Sequence, residues 1–116
     1  MAYNKYSNKK EVRIVNKEKV VFDSKKEARR FDDLILLLKA GKISGLMLQP
    51  SFEIIPQVKC EGHRTMALRK YVADFRYVEN GITIVEDVKG FKTDMYRIKK
   101  QLFLAKYGKE ITFIET

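Results

Sequence analysis

Residues 70–89 read KYVADFRYVENGITIVEDVK, and the fold turns on how this stretch pairs with itself. Lys70–Val78 and Ile82–Val88 are rich in β-branched and aromatic residues, so both read as strands. Asn80-Gly81 between them is a favoured hairpin turn, because both central residues of the type I′ geometry need positive φ. With that turn, Glu79 pairs with Ile82, and counting back puts Asp74 directly opposite Asp87. Side chains alternate along a strand, so Asp74, Asp87 and Lys89 project from one face and Glu86 from the other. A one-residue shift of the turn would instead pair Asp74 with Glu86 and take Lys89 off that face.

Two carboxylates directly opposite one another repel. A fold accommodates them when a cation sits between them or when one is protonated. Paired carboxylates are hard oxygen ligands suited to Mg²⁺ or Mn²⁺, and a metal held there polarises a phosphodiester and helps generate hydroxide. An ammonium two residues along, Lys89, is placed to hold the scissile phosphate or the attacking water. The plain alternative is a solvated polar face. Against it, Val72, Asp74 and Arg76, like Val85, Asp87 and Lys89, mix apolar residues with charges, as a partly buried cleft does.

Upstream of the hairpin, Val12–Val15 and Val20–Phe22 read as short strands around Asn16-Lys17. Ser24 followed by Glu27 is a capping box, which starts a helix that runs to Ala40 and stops at Gly41. At 100° per residue, Ala28, Phe31, Leu34, Ile35 and Leu38 form one stripe. Glu27 falls within that stripe, where it either caps the helix or meets a cation. Leu46–Leu48 and Phe52–Ile55 are strand-like on either side of Gln49-Pro50-Ser51. Residues 57–69 form a basic, mobile excursion carrying Lys59, His63, Arg64 and Arg69. Cys60 and His63 have ligand-like spacing, but one such pair does not complete a tetrahedral zinc site. Thr93 or Asp94 opens a second helix ending near Gly108, and Ile111–Ile114 is a final strand. Met95, Ile98, Leu102 and Ala105 form the apolar stripe of that helix and are assigned to the core. Tyr96, Lys99, Lys100, Phe103 and Tyr107 then gather on the other side, a basic and aromatic mixture that suits phosphates and exposed bases, or that packs under a neighbouring loop. The element order predicts an α/β domain over residues 11–116, with a mixed central sheet flanked by two main helices, and a basic flexible arm at 1–10.

The combination of Glu27 on the first helix, Ala73-Asp74-Phe75, Glu86-Asp87-Val88-Lys89 and a basic helix after them resembles the PD-(D/E)xK nuclease superfamily. Gln49-Pro50-Ser51-Phe52 looks like a segment of transposon-end nuclease subunits. Over roughly residues 10–115 the chain is similar to a family of small phage- and prophage-encoded proteins. The resemblance implies a restriction-endonuclease-like core. It implies that Asp74, Asp87 and Glu27 bind metal, that Lys89 completes the catalytic set, and that products carry 5′-phosphates. One departure is Ala73, where the superfamily pattern has proline.

The net charge of +9, from 24 Lys and Arg against 15 Asp and Glu, points to a polyanionic partner. Lys92, Lys99, Lys100, Tyr96, Arg64 and Arg69 are the candidate contacts to branched or duplex DNA. No apolar run approaches a membrane span. The N-terminus lacks an apolar signal core, and the single cysteine, Cys60, excludes an intrachain disulfide, so a reducing cytoplasm is expected. Together these readings predict a Mg²⁺- or Mn²⁺-dependent DNA endonuclease, structure-selective, acting in phage replication or recombination. A non-catalytic basic DNA-binding accessory protein is the alternative. A homodimer, and a subunit that acts only beside a partner protein, both stay open at this point.

Overall fold

The structure is a computed structural model and describes residues 10–88 and 92–116. Of the arm expected at 1–10, only Lys10 is described, and Lys89 lies outside the described residues. The chain forms two compact units, Met1–Lys42 and Ile43–Thr116.

The first unit begins with an antiparallel hairpin of β1 (Glu11–Val15) and β2 (Glu18–Phe22), with Val15 opposite Glu18. Asn16 and Lys17 take φ of 51° and 67°, the paired positive values of a type I′ turn. Helix α1 (Lys25–Lys39) starts as its capping box requires: Ser24 is extended, and its Oγ accepts from the Glu27 N–H at 3.1 Å. Ala40 caps the other end, and Gly41 follows at φ 73°, where an L side chain would be strained. Ala28, Phe31 and Leu34 are buried, as the stripe predicted, and Phe22 meets Phe31 with ring centroids 4.9 Å apart. The stripe fades toward the C-terminus, where Ile35 is half-buried and Leu38 is exposed. Arg13 clamps Asp32 through two hydrogen bonds of 2.9 and 3.0 Å, tying β1 to α1.

The second unit contains β3 (Ser44–Leu48), β4 (Ser51–Ile55), β5 (Arg69–Val72), β6 (Phe75–Glu79), β7 (Ile82–Asp87), α2 (Asp94–Tyr107) and β8 (Thr112–Glu115). A four-stranded sheet runs in the order β3-β6-β7-β8, and β4 with β5 forms a separate two-stranded sheet. The larger sheet is mixed: β8 is parallel to β7, while the other pairs are antiparallel. The chain is thus an α/β protein with a mixed sheet and two helices, as its sequence leads one to expect.

One difference from expectation bears on the site. Lys70–Val78 is not one strand but two, β5 and β6, broken at Ala73-Asp74. The cause lies in the partner ribbon. Gln49 adopts φ 50°, and Pro50 has no N–H to return to the ladder. Pairing nonetheless carries through the bend: Leu48 stands opposite Phe75 before it and Ser51 opposite Val72 after it. At the bend itself, Gln49 N–H donates to the Asp74 carbonyl (2.9 Å) and Ala73 N–H to the Pro50 carbonyl (3.1 Å).

Helix α2 presents the opposite face from the one assigned. Met95 and Ile98 are 62% and 56% exposed, whereas Phe103 is fully buried. Ala105 is exposed too, and Leu102 is half-buried. Phe103 packs among Phe52, Tyr71, Tyr107 and Phe113, with centroids 4.7 to 5.9 Å away. Aromatic side chains bury more area than aliphatic ones, and tyrosines can do so while their hydroxyls reach polar partners. Tyr107 does this, donating to the Glu53 carbonyl at 3.1 Å. Among the described residues no helix is long and apolar enough to cross a membrane.

Three variants test the α1 cap and the α2 packing. Ser24→Ala should cost about 1 kcal/mol in a urea titration. Phe103→Ala should cost about 3–5 kcal/mol, while Ile98→Ala on the exposed face should stay within roughly 0.5 kcal/mol.

Candidate functional site

The β6–β7 hairpin closes in the register that the sequence favours. Glu79 pairs with Ile82 and Phe75 with Glu86, around Asn80 at φ 52° and Gly81 at φ 76°. The ladder therefore reaches the strand break one residue short of Asp74 and Asp87. Asp74 crosses that gap with both its backbone and its side chain. Its N–H donates to the Glu86 carbonyl at 3.2 Å, and its Oδ2 accepts from the Val88 N–H at 2.7 Å. Asp74 thus contacts the residues on both sides of Asp87. The bend at Gln49-Pro50 makes this geometry, because it frees Asp74 from regular pairing with β4.

Asp87 ends β7 and is fully buried. A carboxylate taken out of water is costly unless hydrogen bonds replace its hydration. Tyr71, on β5, donates its hydroxyl to Asp87 Oδ2. The next strand holds a further carboxylate beside it: Glu115 of β8 is the register partner of Asp87, and the Asp87 carbonyl accepts from the Thr116 N–H at 2.9 Å. Glu115 accepts from Tyr96 (2.6 Å) and Lys100 (2.6 Å), and Lys92 lies 3.6 Å away. Glu86 occupies the other face of β7, buried, accepting from Tyr77 at 2.7 Å and Thr116 at 3.0 Å. Strand parity thus separates the two neighbouring acids, as expected.

Burial raises the pKa of the Tyr71 phenol, and its hydrogen bond to Asp87 raises it further. Burial, then the hydrogen bond to Glu115, does the same for Tyr96. Both remain protonated donors at neutral pH. Burial alone would raise the Glu115 pKa, but its bonds to Lys100 and Tyr96 outweigh this and lower it.

The structure brings Asp74 and Asp87 together. Glu27, buried, belongs to the first compact unit. Tyr96 and Lys100 turn toward Glu115 rather than away from the sheet, and Lys100 also lies over the Phe113 ring at 5.6 Å. Lys99 is half-buried and lines a groove with Ile55, Arg69 and Met95. Arg64 and Arg69 are exposed, the former in the excursion between β4 and β5, which a Val58–Met66 bridge closes. Cys60 is exposed, and its carbonyl accepts from the His63 N–H in a turn. Sequence reasoning missed Tyr71 and Glu115. Glu115 shares strand parity with Phe113 just past the last apolar residue of β8, so parity was the available signal for it, whereas Tyr71, three residues before Asp74, reaches Asp87 only because the strand breaks between them.

Among the described residues no group of three or more His, Cys, Asp or Glu side chains is placed to hold a metal ion. Two carboxylates nonetheless fit Mg²⁺, which keeps most of its waters and is usually bound through one or two carboxylates plus substrate phosphate.

Because its folded pKa is lowered, Glu115 contributes stability that is present above the ordinary glutamate range and lost as pH falls through the lowered value. Glu115→Gln should therefore destabilise the protein at about pH 7 and much less at about pH 3, read from urea midpoints at each pH.

No curated protein matches the chain. One family pattern covers nearly all of it, from residue 3 to residue 115, and its description is "protein of unknown function". The chain belongs to this family, DUF1064.

Proposed function

We propose that this protein is a metal-dependent endodeoxyribonuclease of the PD-(D/E)xK type, with Asp74 and Asp87 at its catalytic centre. The observation that carries the reading is the junction of the two aspartates at the broken end of the β6–β7 hairpin, with Glu86 turned to the opposite face. That junction is what the superfamily pattern requires of its first acid and of the acid that precedes x-Lys.

In this reading Asp74 and Asp87 hold Mg²⁺ or Mn²⁺. Bound there, the ion supplies Lewis-acid polarisation of a phosphodiester and lowers the pKa of a coordinated water. The Val88 N–H orients the Asp74 carboxylate through Oδ2. Lys89, outside the described residues, enters from the sequence as the group that steadies the attacking water or the phosphate charge. Glu27 enters in the same way as a further acid. Lys92, exposed beside this end of the sheet, Arg64 in the basic excursion and Arg69 at the start of β5 suit the DNA backbone. A chain this small has little surface for reading base sequence, which favours branched DNA over specific duplex sites, within phage replication or recombination. Cutting both strands would take a second copy or a partner protein.

The excursion and the +9 charge need no metal, and they favour a second reading, a basic DNA-binding accessory protein. Nicking of plasmid and four-way-junction DNA with Mg²⁺ or Mn²⁺ separates the two. The nuclease reading expects cleavage that Asp74→Ala and Asp87→Ala each reduce by about a hundredfold or more, with DNA binding retained. Salt-sensitive binding without cleavage of either DNA, under either metal, would leave the accessory reading.

A further inference from the structure

Asp87 is approached from a different sheet. Tyr71 belongs to β5, in the two-stranded sheet, while Asp87 ends β7 in the four-stranded one. Their hydrogen bond is a strut across the strand break. The Tyr71 ring cannot easily swing, because it is 3% exposed and stacked on Phe103 at 4.7 Å with the planes 22° apart. Its ring also lies beside that of Tyr96, with centroids 6.4 Å apart. Tyr96 is itself anchored on Glu115, which Lys100 holds from α2, and Glu115 is the β8 neighbour of Asp87.

We infer that Tyr71 is a positioning residue, its buried hydroxyl fixing the Asp87 carboxylate, with Tyr96, anchored on Glu115, bracing its ring. A phenylalanine would fill the same space among Phe52, Phe103 and Phe113, so the packing alone does not call for a hydroxyl. What the hydroxyl adds is a donor fixed in direction by the aromatic cluster and the strand pairing rather than by solvent. This matters because a carboxylate that ligates an ion must hold its ligating oxygen in one direction, and a misplacement of about 1 Å costs roughly a hundredfold in rate. The catalytic consequence rests on the nuclease reading above, while the contact itself does not.

The test therefore has two readouts. Tyr71→Phe removes the hydroxyl and keeps the ring, and Ile98→Ala, on the exposed face of α2, changes the helix without touching the cluster. In protein carrying ¹³C-carboxyl aspartate, the Asp87 signal is identified by its loss in Asp87→Asn. That signal should move or broaden in Tyr71→Phe and stay near its wild-type position in Ile98→Ala. In nicking assays Tyr71→Phe should lower kcat by roughly ten- to a hundredfold and raise the Mn²⁺ concentration for half-activity, with KM for DNA within about twofold. Tyr96→Phe should change both in the same direction by less. An Asp87 signal unmoved by Tyr71→Phe overturns the inference, and so does a moved signal with kcat and metal dependence unchanged. Should Tyr71→Phe fail to fold, an Asp87 signal unmoved in Tyr96→Phe overturns it, and a moved one supports it. A moved signal in a protein whose wild type cleaves no DNA upholds the positioning contact and sinks the nuclease reading instead.

Discussion

A carboxylate with no solvent exposure at the end of a central strand constrains everything around it. Asp87 cannot be stable there without donors, and the donors must come from elements that differ from its own. Tyr71 supplies one from β5. That supply is available only because the β5–β6 chain breaks at Ala73-Asp74 and lets its two halves join different sheets. The break depends in turn on Gln49 and Pro50 in the partner ribbon. From the buried acid one can thus trace the bend, the aromatic cluster and the pairing of β7 with β8 as parts of one solution.

The arrangement also distributes charge economically. In a chain with net charge +9, Lys92 and Lys100 gather around Glu115. The β8 neighbour of Asp87 is thereby ion-paired, and Asp87 itself accepts from a phenol hydroxyl held in the aromatic cluster.

Much of this was legible beforehand where local rules dominate. Two-residue turns fix register, so Asn80-Gly81 decided which acid of the Glu86-Asp87 pair sits beside Asp74. Capping chemistry is equally local, and Ser24 with Glu27 placed the start of α1. The rest depended on tertiary context. Helix α2 carries two stripes of comparable hydrophobicity, and periodicity cannot rank Met95 and Ile98 against Phe103 and Tyr107. The ranking came from aromatic partners on β4, β5 and β8 that no local window contains. Tyr71 was invisible as a site residue for the same reason, since its partner is sixteen positions away and on another sheet.

The bent ribbon has one more implication. β4 and β5 continue the pairing of β3 and β6 outward to the Val58–Met66 bridge, so the excursion beyond Val58 is the tip of a long hairpin whose base carries Asp74. Register at the base is set on both sides of the bend, independently of how many residues form the tip. The tip is therefore a place where length and composition can drift through evolution, or be grafted by design, while the aspartate at the base keeps its position.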